Sequence, residues 1–137
     1  MKRNLIGTVS LALSLLITNN GAYAQTPARA DVPFAFSVGG THMPAGLYKI
    51  KRADFDRNFI MVSNVDTGDT VLSLFQRETP SHVNRKLVFH HRGNQYFLAE
   101  VWGADGSRGM AMPTTNAEQQ VEIARAPITP NVEIALR

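Results

Sequence analysis

The chain has 137 residues, of which 44% are hydrophobic, 14 are basic and 11 are acidic. This length suits one domain, and the hydrophobic content is sufficient for a packed core and too high for a wholly disordered chain. The chain contains no cysteine, which excludes disulfide bonds and thiol chemistry.

The first 24 residues have the pattern of a signal peptide. Lys2 and Arg3 supply positive charge before a short apolar run, Leu5 to Ile17. Small residues at Ala22 and Ala24 then mark a cleavage site. The apolar run is shorter than the about 20 residues that span a membrane as a helix. We therefore expect cleavage after Ala24 and export to the periplasm or to the outside of the cell.

Removal of the signal peptide leaves 12 basic and 11 acidic residues. This near balance gives no electrostatic reason to expect a nucleic-acid partner. No later segment is apolar over the length that a transmembrane helix requires. We expect a mature protein without a transmembrane segment.

Residues 25–30 are interpreted as a flexible lead-in, and residues 31–137 as a single β-rich domain. Apolar and other residues alternate from Val32 to Val38, which predicts one half-buried strand. After a proline-glycine turn, a second strand places Tyr48 and Ile50 on one face.

The same alternation predicts strands at 59–65 and 70–78, with a turn at 66–69 between them and a polar loop at 80–85. The last alternating segment, at the C-terminus, predicts a final strand.

The stretch LVFHHRGNQYFLAEVW, residues 87–102, predicts a hairpin around a two-residue Gly93-Asn94 turn. The predicted pairs are Arg92 with Gln95, His91 with Tyr96, His90 with Phe97 and Phe89 with Leu98. Strict alternation from this register places Trp102 on the face of Phe89 and Leu98. We therefore predict Trp102 in the core, where its replacement by alanine costs about 3–5 kcal/mol.

Residues 116–126 are compatible with a helix and with a strand. Thr115 stands three residues before Glu118, as in a capping box, and favours the helix. Ala117, Val121 and Ala124 would share one helical face. The tetrapeptide VEIA recurs in the final strand and favours the strand. We predict a mainly β fold, an antiparallel β-barrel or closed sandwich of about seven strands with one short helix before the C-terminal strand.

The segments VPFAFSVGG…MPAGLYKI and KLVFHHRGNQYFLAEVW resemble those of a group of small exported bacterial proteins that are rich in β-structure. The resemblance spans most of the mature chain. Its motifs consist of turn and core residues, so the resemblance implies a fold, and it brings no catalytic or binding residues.

The residues do not form a recognisable catalytic, cofactor or metal motif. Adjacent strand residues point to opposite faces, so His90 and His91 are badly placed to bind one metal ion. His42 and His82 have no metal-ligand spacing, and the serines lack a nucleophile-elbow sequence. We predict no enzyme activity, no cofactor and no metal.

One locally basic stretch is a candidate contact surface for an anionic envelope glycan or lipid headgroup. Its alternative interpretation is a solvated strand edge whose charges prevent unwanted pairing. The candidate contact residues are Arg85, Lys86, His90, Arg92 and, if it is exposed, Trp102.

Three classes of function remain open. The first is a non-catalytic binding or structural module of the cell envelope or secretome, whose partner is an envelope component or another exported protein. The second is a small barrel that carries an apolar ligand. In this second class the barrel would be lined by Phe34, Phe36, Tyr48, Phe89 and Trp102. The third is an enzyme with an unrecognised site.

The signal-peptide interpretation predicts the intact mass of the exported protein. Mass spectrometry of the exported form should give the mass of residues 25–137. A full-length chain held in the inner membrane would contradict it.

Overall fold

The computed structural model describes residues 27–80, 84–104, 108–124 and 128–137. In these residues the chain is mainly β, with two sheets and one helix. In chain order the elements are β1 (Ala28–Val32), β2 (Phe36–Val38), β3 (Thr41–Met43), β4 (Gly46–Arg52), β5 (Phe59–Asn64), β6 (Thr70–Leu74), β7 (Gln76–Pro80), β8 (Lys86–Arg92), β9 (Gln95–Trp102), β10 (Arg108–Ala111), α1 (Asn116–Ile123) and β11 (Ile128–Ala135). The predicted signal peptide and His82 lie outside the described residues.

The first sheet is antiparallel, with the strand order β1-β4-β5-β6. The predicted alternation of β4 is confirmed, because Tyr48 and Ile50 are both fully buried. A tight turn joins β5 to β6, where the Asn64 side-chain oxygen accepts hydrogen bonds from the backbone N–H groups of Asp66 and Thr67. This turn is the predicted one at 66–69.

The second sheet has the order β11-β8-β9-β10-β7. β2 joins it through a parallel pairing of Ser37 with Phe97 in β9, and β3 pairs antiparallel with β2. In the described part of the chain, the structure contains no helix with the length and hydropathy needed to span a membrane.

Two predicted strands are each divided between the two sheets. The predicted strand at 32–38 is interrupted at Pro33, which lacks the N–H that continued pairing requires. The predicted strand at 70–78 is interrupted at Phe75, after which the chain pairs with β10. These divisions contribute to the eleven strands of the described residues, where about seven were predicted.

Residues 28–30 of the predicted lead-in belong to a strand, and residues 25 and 26 lie outside the described residues. Ala28 and Ala30 are buried and belong to β1, which pairs with β4 along its whole length. Alternating small residues can occupy the inner face of a strand without a strong hydrophobic signal in the sequence, and this explains the error.

The predicted hairpin register is confirmed from Arg92–Gln95 to Phe89–Leu98, and a β-bulge then changes it. Beyond the bulge Val88 pairs with Glu100, so one extra residue of β9 is accommodated. This residue inverts the alternation: Val101 is fully buried in the core, and Trp102 lies on the opposite face. The predicted core position of Trp102 is therefore wrong.

Trp102 is half-buried on the outer face of the second sheet. Its Nε1 donates a hydrogen bond of 2.7 Å to Glu100 Oε2. Its ring covers Gly109 so closely that a Cβ atom there would lie 2.5 Å from two ring carbons. Glycine at 109 is thus required by the ring and not by the backbone conformation.

Residues 116–123 form the helix α1, which resolves the open choice between helix and strand. The Thr115 side chain caps it by accepting a hydrogen bond from the Glu118 N–H. The predicted apolar face is wrong, because Ala117 and Ala124 are exposed and Glu118 is buried.

The core combines residues of both sheets in one cluster. The Phe36 ring contacts the rings of Tyr48 and Phe89 edge to face, with centroid separations of 5.0 and 5.2 Å. The Tyr48 hydroxyl donates a hydrogen bond to the Pro44 carbonyl oxygen. Burial raises the pKa of the Tyr48 phenol, so this group stays neutral and keeps its donor.

The contact between Trp102 and Gly109 predicts strong coupling between these positions. Gly109→Ala should destabilise the wild-type protein by about 1–3 kcal/mol, because the new methyl group overlaps the ring. In a Trp102→Ala background the same substitution should cost much less. Urea unfolding of the four proteins measures the difference. Equal costs in both backgrounds would contradict the described position of the ring.

Candidate functional site

Three of the predicted contact residues lie on one face of β8 and have acidic partners. The partners come from α1 and β11, which flank this face. The pairs are Lys86 Nζ with Glu133 Oε1 at 2.7 Å, His90 Nδ1 with Glu118 Oε1 at 2.5 Å and Arg92 Nε with Glu122 Oε1 at 3.2 Å. An external anion would have to compete with these carboxylates, which reduces the suitability of this face as an anion site.

The two remaining predicted contact residues lie at the other end of the hairpin. Arg85 Nε donates a hydrogen bond of 3.0 Å to the Gly103 carbonyl oxygen. Trp102 stands opposite Lys86 in the paired strands. The structure thus brings Arg85, Lys86 and Trp102 to one end of β8 and leaves His90 and Arg92 at the other.

The pair of His90 and Glu118 is the most buried ionisable contact of this face. The Glu118 side chain is only 6% exposed, and that of His90 is 27% exposed. A carboxylate that orients an imidazole is also found in general-base catalysis, but a base needs a proton donor or substrate at its other nitrogen. In the described residues the His90 ring has this one hydrogen-bond partner. The contact chiefly anchors α1 to β8.

His91 points to the face opposite His90, as predicted. Its ring is stacked on Tyr96 with a centroid separation of 4.2 Å and an interplanar angle of 1°. Tyr96 in turn is stacked on Phe34. Within the described ranges, no group of three histidine, aspartate or glutamate side chains converges as a metal site.

A second candidate surface lies on the outer face of the first sheet, at β6. Ile60 and Val62 of β5 face the core, so Phe59 and Met61 face outward. Leu74 and Leu72 are their cross-strand partners. The aromatic ring of Phe55, in the preceding loop, lies 6.2 Å from that of Phe59. We call these five residues the β6 surface: Phe55, Phe59, Met61, Leu72 and Leu74.

The β6 surface is unusually exposed for apolar side chains. Phe55 is 70% exposed, and Leu72 and Leu74 are 46% and 49% exposed. Isolated exposed apolar residues are common, whereas a contiguous group is typical of an interaction site.

Charged residues border the β6 surface without entering it. Lys51 is the cross-strand neighbour of Met61, and its Nζ lies 2.9 Å from Asp54 Oδ2. Farther along β5 and β6, the hydroxyl groups of Ser63 and Thr70 are hydrogen-bonded to each other. An apolar centre with a polar rim is the usual composition of a protein–protein interface.

β6 is an edge strand of the first sheet. Asn64 N–H donates to Asp69 O, and Phe75 N–H donates to Asn58 O. Hydrogen-bonded pairs alternate along an antiparallel ladder. Since Asp69 and Phe75 bond to β5 and to the residue before it, the residues at every second position between them bond to β5 as well, and the residues in between point away from it. The N–H and C=O groups of Leu72 therefore point away from β5, toward the open edge.

Sequence reasoning predicted a strand at this place and missed the surface. Within β6 the buried side chain is Ser73, and the leucines on either side of it are exposed. Hydrophobic pattern alone assigns leucines to the core, so only the inward position of Ser73 beside Gly39 reveals the reversal.

Comparisons with family models, curated proteins and solved structures found no match for this chain. The resemblance to small exported bacterial proteins therefore stays an interpretation of the sequence, and the site is argued from its geometry.

The contact of His90 with Glu118 predicts unequal effects for two glutamates of the same helix. Glu118→Ala should destabilise the protein by about 1–3 kcal/mol, because it leaves a partly buried imidazole without its partner. Glu122→Ala, the matched control on the exposed pair with Arg92, should cost at most about 1 kcal/mol. Urea unfolding near neutral pH measures both. Equal costs would contradict the anchoring role of Glu118.

Proposed function

We propose that this protein is an exported, non-catalytic binding module whose partner docks on the β6 surface. The observation that carries the proposal is the row of exposed apolar side chains beside an open strand edge. Such an edge offers backbone donors and acceptors, and the apolar side chains offer contact area. The expected partner is an envelope component or another exported protein.

The proposed export rests on the signal-peptide pattern of the first 24 residues. For the fold we propose a closed sandwich rather than a barrel. The single core cluster draws its residues from both sheets, which supports two layers packed face to face.

The apolar-ligand alternative has less support. It requires an open interior, whereas the rings proposed to line it contact one another: Phe34 with Phe89, and Phe36 with Tyr48 and Phe89. Trp102, the remaining proposed lining residue, lies on the outer face of the second sheet. The enzyme alternative would rest on the pair of His90 and Glu118, for which the described residues supply no nucleophile.

The proposal predicts that binding depends on Leu72. The tagged exported protein should capture an envelope component after cross-linking in its own cells, and Leu72→Asp should abolish capture because the charge must be desolvated on docking. Ile123→Asp is the matched control, since Ile123 is 79% exposed on α1, away from the β6 surface. Quantitative mass spectrometry compares the three proteins. Capture that persists with Leu72→Asp would refute the proposed surface.

A further inference from the structure

We infer that the partner accommodated by the open edge of β6 is a second copy of this chain, paired through β6 about a two-fold axis. This inference rests on the proposed function only in that it uses the same surface, and it adds a second copy at the backbone edge to the envelope component expected on the side chains. It is based on the outward-pointing backbone groups of β6 and on the absence of charged residues and proline from this strand.

The edge of β6 lacks the devices by which proteins prevent strand pairing. Thr70–Leu74 contains no charged residue and no proline, and its register with β5 is continuous over five pairs. A regular, uncharged, apolar edge strand is a template for pairing with another strand.

The opposite edge of the same sheet is closed. The backbone of Arg29 in β1 both donates to and accepts from Arg137, with N···O distances of 3.0 and 2.8 Å. β1 also presents charged side chains outward, at Arg29 and Asp31. The contrast between β1 and β6 within one sheet indicates that β6 is the edge adapted to a partner.

The outward backbone groups of β6 are symmetric about Leu72. They belong to Thr70, Leu72 and Leu74, at every second position. An antiparallel second copy centred on Leu72 places Leu72 opposite Leu72 of that copy, and Thr70 opposite its Leu74. Each of these outward N–H and C=O groups then has a partner, which a two-fold interface requires.

Charge supports the same orientation. Asp66 and Asp69 precede β6 at its Thr70 end. The loop at its Leu74 end is of mixed charge, because it contains both Asp56 and Arg57 and its Asp54 is paired with Lys51. An antiparallel two-fold brings the acidic end of each copy toward this mixed end of the other, whereas a parallel arrangement would bring the two acidic ends together.

Pairing over one short strand buries less than the 1,200 Å² or so of a stable complex. We therefore expect a reversible dimer, with a dissociation constant on the order of 10–100 μM. Sedimentation velocity of the purified exported protein at increasing concentration should show conversion from monomer to dimer.

Cysteine cross-linking tests the register, because the natural chain contains no cysteine. In a hydrogen-bonded antiparallel pair the Cα atoms lie about 5.5 Å apart, within the range of a disulfide. Leu72→Cys should thus cross-link to itself under mild oxidation. Thr70→Cys and Leu74→Cys should each cross-link at least tenfold less by themselves and should cross-link to each other when mixed. Ile123→Cys is the exposed control.

Two results would overturn the inference. The first is a wild-type protein that stays monomeric at a concentration of about 200 μM, about twice the weakest expected dissociation constant. The second is cross-linking of Leu72→Cys no greater than that of Ile123→Cys. If either occurs while Leu72→Asp still abolishes capture of an envelope component, self-pairing fails and the proposed function stands. If dimers form as described and capture is insensitive to Leu72, the proposed function fails and self-pairing stands.

Discussion

The aromatic contact between Phe36 and Tyr48 joins the two sheets, and much of the remaining structure depends on it. Phe36 belongs to β2 of the second sheet and Tyr48 to β4 of the first. Phe36 also contacts Phe89 in β8, which ties the hairpin to the same cluster. With no disulfide available, burial of these rings and of the aliphatic residues around them must supply most of the stability.

The outer faces of the two sheets differ in what covers them. The second sheet carries α1, which is held to β8 through the pairs Glu118–His90 and Glu122–Arg92, while its Ile123 remains exposed. A buried pair of this kind contributes less to stability than an apolar contact of the same size, but it specifies where the helix sits. On the outer face of the first sheet, Leu72 and Leu74 remain exposed among the described residues.

The β-bulge in β9 determines the position of Trp102 as well as the pairing of the hairpin. It directs Val101 into the core and turns Trp102 outward, beside Gly109. The indole therefore covers the backbone of β10 and is neither a core residue nor a free stacking platform. The basic residues of β8 are similarly engaged, because Lys86, His90 and Arg92 each face a carboxylate of the same chain.

The sequence by itself determined the local elements. Alternation predicted β4 and β5, the Gly93-Asn94 turn predicted the hairpin pairs as far as Phe89 and Leu98, and Thr115 indicated the start of the helix. These features depend on residues close together in the chain, where propensity and turn chemistry act directly.

Only the tertiary structure decided how the strands are shared between sheets, which side of β9 faces inward after the bulge, and that Ser73 rather than Leu72 is buried. Period-two alternation defines two faces and does not say which of them meets the core. That choice is made by contacts between segments far apart in the chain, such as Gly39 against Ser73 and Glu118 against His90, and a single sequence carries no local signal for them.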